Sequence, residues 1–170
     1  MNNQTFKQKE LEEIEKNYDP QLSFRKLGIR LEIIVSMLLV LMSIYHFWAA
    51  GFGLVREVLH RGIHISFVLA LVFLLFGWNK KEDLKKTNKG YFYFQNIPIL
   101  DYIFAFLAVA SALYLPLLPS KELASIVGNP GSVDVFIGSI LIILTLEAAR
   151  RSVGSTLPII AIIFTLFALF

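Results

Sequence analysis

SVDVFIGSILIILTLEAARRSVGSTLPIIAIIFTLFALF, residues 132–170, decides how the rest of the chain is read. An apolar run ends in a knot of Glu147, Arg150 and Arg151, breaks at Gly154 and Ser155, and resumes as a second apolar run around Pro158. A membrane helix that reaches water, reverses tightly and re-enters would have this form. Charges collect at the interface, glycine and serine make the turn, and proline is tolerated in the first turn of the next helix.

The same pattern recurs upstream. The chain has 170 residues, 56% of them hydrophobic and 17% charged, with mean hydropathy +0.64. Its apolar residues come in blocks of about the 17–25 residues needed to cross a hydrocarbon layer. Three further spans are expected at Leu31–Gly53, Leu54–Phe76 and Leu100–Leu118, and the fourth runs from Ser132 to about Arg150. The segment Thr156–Phe170, 15 residues or about 22 Å of helix, is the start of a fifth. The expected fold class is all-α, a polytopic membrane helix bundle of four full transmembrane helices plus the start of a fifth.

Residues 1–30 are polar and mixed in charge, unlike a cleaved signal. They are expected to form a cytoplasmic tail, with an amphipathic piece at the headgroups as the alternative. Thirteen of the 16 Lys and Arg residues fall on one side of this arrangement, in the tail, the 78–90 loop and the Arg150–Arg151 turn. Only Arg56, Arg61 and Lys121 fall on the other. The bias predicts a cytoplasmic N-terminus. Lysines placed beside membrane spans give no reason to expect nucleic acid, and the absence of cysteine excludes disulfides and thiolate chemistry.

Ala105, Ala108, Ala110, Ser111 and Ala112 make the third span the small-residue helix, suited to close packing. Gly128-Asn129-Pro130-Gly131 is a dense turn signal after a loop from Ser120, and Ser132 or Asp134 can cap the fourth span. His60 and His64 share a helix face at metal-ligand spacing, but no third ligand is evident in the sequence and the flanking arginines oppose a cation. They read as a polar helix entrance, and His46 as an interfacial or packing histidine. No metal or cofactor is expected. No HExxH, G-x-S-x-G, phosphate-binding glycine loop or intramembrane carboxylate pair is present, so an enzyme is not expected.

Glu147 with Arg150 and Arg151, at spacings of three and four, can pair on one helix face. Cations ending a helix also favour its dipole and snorkel to water. A buried Glu147 would instead meet a neighbouring helix or domain.

The run from Leu146 to Phe170 resembles the E-A-x-R-R-x-x-G-x-x-L-P-I-x-A-x-x-F-x-x-x-A-L-F signature of TRAP (tripartite ATP-independent periplasmic) transporters, in particular the fused permeases of the TAXI branch. The matching positions are Glu147, Ala148, Arg150, Arg151, Gly154, Leu157, Pro158, Ile159, Ala161, Phe164, Ala168, Leu169 and Phe170. Gly51-Phe52-Gly53, the run from His60 to Phe76 and Gly128-Asn129-Pro130 before Asp134 fit the same region, so the resemblance spans about residues 30–170.

It implies a small Q-like membrane domain over 31–151, followed at 152–170 by the start of a connecting helix towards a large M-like domain beyond this sequence. The large domain would carry the substrate and sodium sites, and the Q-like part would brace it in the cytoplasmic (inner) membrane of a bacterium or archaeon. The implied process is sodium-coupled symport of small organic acids delivered by a periplasmic TAXI-type solute-binding protein. Glu147, Arg150, Arg151, Gly154 and Pro158 are the motif and domain-contact candidates. Topology makes Arg56, Arg61, Lys121 and Asp134 candidates for docking the binding protein. The competing expectation is a free-standing small membrane scaffold or accessory protein without transport activity of its own.

Overall fold

The computed structural model describes residues 24–25, 27–53, 56–78, 93–94 and 97–169. The expectations for the tail up to residue 23, for the lysine-rich loop 79–90 and for Tyr91 and Phe92 lie outside these. Four long helices are present among the described residues: α1 (Ile29–Phe52), α2 (Glu57–Leu75), α3 (Ile99–Leu117) and α5 (Ser132–Ser152). Each is long and apolar enough to cross a membrane. A short α4 (Ser120–Ile126) links α3 to α5, and α6 (Thr156–Leu169) follows α5. Two-residue strands β1 (Tyr93–Phe94) and β2 (Ile97–Pro98) pair antiparallel just before α3. The protein is an all-α helical bundle and a multi-pass membrane protein.

The bundle is organised by α3. Its buried positions Asp101, Ala105, Ala108, Ala112 and Pro116 recur every three or four residues, forming one stripe. Lipid is as apolar as a leucine side chain, so helices in a bilayer associate by close packing, and small residues permit it. Leu69 and Phe73 of α2, Ala105 and Ala108 of α3, and Leu144 and Ala148 of α5 form one buried cluster. α2 and α3 approach closely at Gly62 of α2, where a Cβ atom would lie 2.4 Å from Pro116 Cγ and 3.0 Å from the Ala112 carbonyl oxygen.

A second cluster seats α1 on α2, through Leu31 and Val35 against Leu71 and Leu74, with Ile97 of β2 beneath. Elsewhere α1 presents large apolar side chains outward, among them Met37, Ile44 and Phe47. The outer faces of α5 and α6 do the same with Phe136, Ile143, Phe164 and Phe167, as lipid-facing helices require.

Two local expectations change. The segment from Ser120, expected as a loop, forms α4 over SKELASI before the Gly128–Gly131 turn. The N-cap of α5 is Gly131, and Asp134 supports it by accepting a 2.8 Å hydrogen bond from the Gly131 N–H.

Candidate functional site

At the end of the bundle where α2 and α5 finish and α3 begins, five charged side chains form a connected network. Its hub is Asp101, 2% exposed, at the head of the α3 stripe. Asp101 Oδ1 accepts from Arg151 Nη1 at 2.7 Å, and Oδ2 accepts from Arg25 Nη2. Arg151 continues to Glu147, donating from Nε to Oε1 at 2.7 Å. Glu147 also accepts two bonds from Arg150, from Nε at 2.7 Å and Nη2 at 2.8 Å.

The local reasons are visible in the helices. Leu144, Ala148 and Arg151 are the buried residues of α5 and lie on one face, so Arg151 continues the core stripe. Arg150, one position earlier, is turned to the rim, where its guanidinium stacks 4.7 Å from the centre of the exposed Trp78 ring. The helix then stops. Gly154 adopts φ 107°, a backbone that glycine enters without a Cβ penalty, and its N–H closes on the Arg150 carbonyl at 3.1 Å. Pro158 is buried in the first turn of α6, where a missing N–H is tolerated.

Arg25 arrives from before α1. Its backbone N–H donates to the Leu75 carbonyl at 2.9 Å, and Phe24 packs edge-on against Phe76 with ring centres 5.0 Å apart. The segment therefore caps α2 and delivers a guanidinium, 6% exposed, to Asp101. This position was expected in a solvated or headgroup-lying tail. The buried carboxylate explains the difference, because its second oxygen, the one Arg151 does not bond, takes this guanidinium.

The fully buried part balances two cations, Arg25 and Arg151, against Asp101 and the largely covered Glu147, with Arg150 as the link to the exterior. Arg151 is 3% exposed, and the rings of Phe73, Trp78 and Phe104 surround its guanidinium at 5.1, 5.3 and 5.7 Å. The expectation that cations here snorkel to water therefore fits Arg150 alone. Chemically the arrangement is a lock: it ties α2, α3, α5 and the chain before α1 together where α5 turns into α6.

The four docking candidates divide into two pairs. Arg56, half-buried, donates to the Pro116 carbonyl at 2.7 Å and to that of Leu118 at 3.1 Å, satisfying the C-terminal end of α3. Asp134 accepts from the Tyr114 hydroxyl at 2.8 Å as well as from Gly131. Arg61, in an exposed pair with Glu57, and Lys121 on the surface of α4 are presented outward. Arg56→Ala should lower stability by about 1–2 kcal/mol, since it strips charged donors from two carbonyls. Thermal unfolding in detergent would read this, and an unchanged midpoint would contradict the capping role.

The third partner for His60 and His64 that the sequence did not reveal is His46 of α1, hydrogen-bonded to His64. Among the described residues no group of three His, Cys, Asp or Glu is placed to hold a metal ion. Compared with known proteins, the chain matches no family model, no curated protein and no solved structure.

Proposed function

We propose that this chain is the fixed scaffold region of a TRAP-type permease, supporting sodium-coupled uptake of small organic acids delivered by a TAXI-type binding protein. The observation that carries the reading is the charge lock. Glu147, Arg150 and Arg151, the residues on which the family resemblance centres, join Asp101 and Arg25 in a network that is buried apart from Arg150 at its rim. A brace that must stay still while another domain moves needs such cross-linking at its ends. The apolar outer faces of α5 and α6 offer a surface to lipid or to a large membrane domain. The excess of Lys and Arg on the side of the lock favours a cytoplasmic N-terminus in a bacterial or archaeal inner membrane.

Co-expression with a TAXI-type large domain and its binding protein tests this. The chain should co-purify with the large domain and restore sodium-dependent uptake. The combined Arg61→Glu and Lys121→Glu variant should slow uptake severalfold at limiting binding protein, because rim charges act mainly on encounter. A chain that remains monodisperse alone and ignores the large domain would overturn the reading and favour a free-standing accessory scaffold. Unchanged uptake in the charge-reversed variant would remove the docking assignment.

A further inference from the structure

The α1–α2 interface changes character along its length. Near the charge lock it is apolar, with Leu31 and Val35 on Leu71 and Leu74. Towards the other end it is made of imidazoles and a phenol. His46 on α1 holds Nδ1 2.7 Å from the Met42 carbonyl oxygen and Nε2 2.9 Å from His64 Nδ1 on α2. Beside them the Tyr45 hydroxyl lies 3.0 Å from His60 Nδ1, with the two rings stacked at 5.4 Å. The His46 ring stands edge-on to both His60 and His64, at centroid distances of 5.3 and 4.9 Å.

The hydrogen positions follow from the acceptors. A carbonyl oxygen only accepts, so His46 Nδ1 carries the hydrogen bonded to Met42. In the neutral ring His46 Nε2 is then a lone pair, and His64 Nδ1 must donate to it. His64 Nε2 is left as the open lone pair, on a residue that is exposed.

We propose that the His46–His64 pair is a proton-binding site that fastens α1 to α2 with no added proton or one, and releases it with two. The first proton goes to His64 Nε2. It leaves the bond intact and strengthens it, because the donor is now charged. The second has only His46 Nε2 to occupy, the atom that accepts from His64. Two N–H groups then oppose each other and two imidazolium rings lie side by side.

The charged and titratable groups on the flanking turns have other partners. From α1 comes Tyr45, bonded to His60 of α2. Also on α2, Glu57 is paired with Arg61, and Arg56 just before it is committed to the carbonyls ending α3. On α3, Tyr114 donates to Asp134. Among the described residues no carboxylate bonds either imidazole of the pair.

Helices in a bilayer associate by close packing and by cross-helix hydrogen bonds, so these bonds add to the docking of α1. In this half of α1 the only buried residue is Ala49. Loss of the histidine bond therefore loosens this half, which keeps the Tyr45–His60 hydrogen bond, while Leu31 and Val35 stay packed at the other end. Imidazoles ordinarily change charge between about pH 5 and 8, which sets the range to search.

The chain has no cysteine, so Phe47→Cys and Ile65→Cys, both at exposed positions, can carry a nitroxide pair on the full chain in nanodiscs. Electron–electron distance measurements should show one short distance at pH 8 and a longer one gaining at least about tenfold in population by pH 5. His64→Gln should stay docked at both pH values, because an amide can donate to His46 Nε2 or, turned over, accept from it. A wild-type distance unchanged with pH, or the same shift persisting in His64→Gln, would overturn the proposal. Should His64→Gln fail to fold, nitrogen-15 spectra of histidine-labelled wild type decide. The His46 Nδ1–H tautomer and a nitrogen–nitrogen coupling across the His46–His64 hydrogen bond at pH 8, lost by pH 5, are expected, and a coupling that persists at pH 5 would refute it.

Discussion

Asp101→Asn should destabilise the bundle by about 3–5 kcal/mol, the range for removing one partner from a buried ion pair. The amide keeps the shape of the carboxylate and removes its charge, leaving the guanidinium groups of Arg25 and Arg151 in a site where Asp101 is 2% exposed. Arg151 retains Glu147, and both guanidinium groups lose the carboxylate they share. Unfolding midpoints in detergent, followed by circular dichroism, measure the loss. The combination of Asp101→Leu, Arg25→Met and Arg151→Met should recover most of it, because a buried charge cluster replaced whole by apolar side chains of similar volume is often neutral or better. Glu147 keeps its two bonds from Arg150 in that variant. A stable Asp101→Asn protein would mean that the network does not form.

Gly62→Ala is the second large effect. The added Cβ would sit 2.4 Å from Pro116 Cγ, far inside contact distance, and the Ala112 carbonyl oxygen at 3.0 Å blocks the other direction. Overpacking of this kind costs about 1–3 kcal/mol. Gly62→Val should exceed it because its branched Cβ cannot rotate clear. Pro116→Ala removes the Cγ and should rescue part of the loss, so the two changes should be non-additive in a double-mutant cycle. Additive effects would show that α2 and α3 do not meet here.

Much of the fold was legible because membrane spans announce themselves by length and polarity. The expected starts at Leu31 and Leu54 fall two and three residues from Ile29 and Glu57. The small residues of α3 marked it for close packing, and Ala105, Ala108, Ser111 and Ala112 are buried in the structure while Ala110 is exposed. α4 was missed because seven residues carry too little periodicity to outweigh the Gly128–Gly131 turn beside them.

The charge network was half visible. Spacing alone joined Glu147 to Arg150 and Arg151, since residues three and four apart share a helix face. It could not supply Arg25, 76 residues from Asp101 in sequence. Asp101 itself was readable in principle. It stands four residues before Ala105 and seven before Ala108, on the core stripe, but an acidic residue in a first turn is explained just as well by the helix dipole. The same holds for His46, whose partner lies 18 residues away on another helix.

Four helices crossing a bilayer place the charge lock at one surface and α4 at the other. Single cysteines at Ser155, exposed in the turn after the lock, and at Lys121 on α4 test that directly in a chain that has no cysteine of its own. With a membrane-impermeant thiol reagent on intact cells, Lys121→Cys should react at once and Ser155→Cys only after permeabilisation. Reaction of both from the same side would contradict the account.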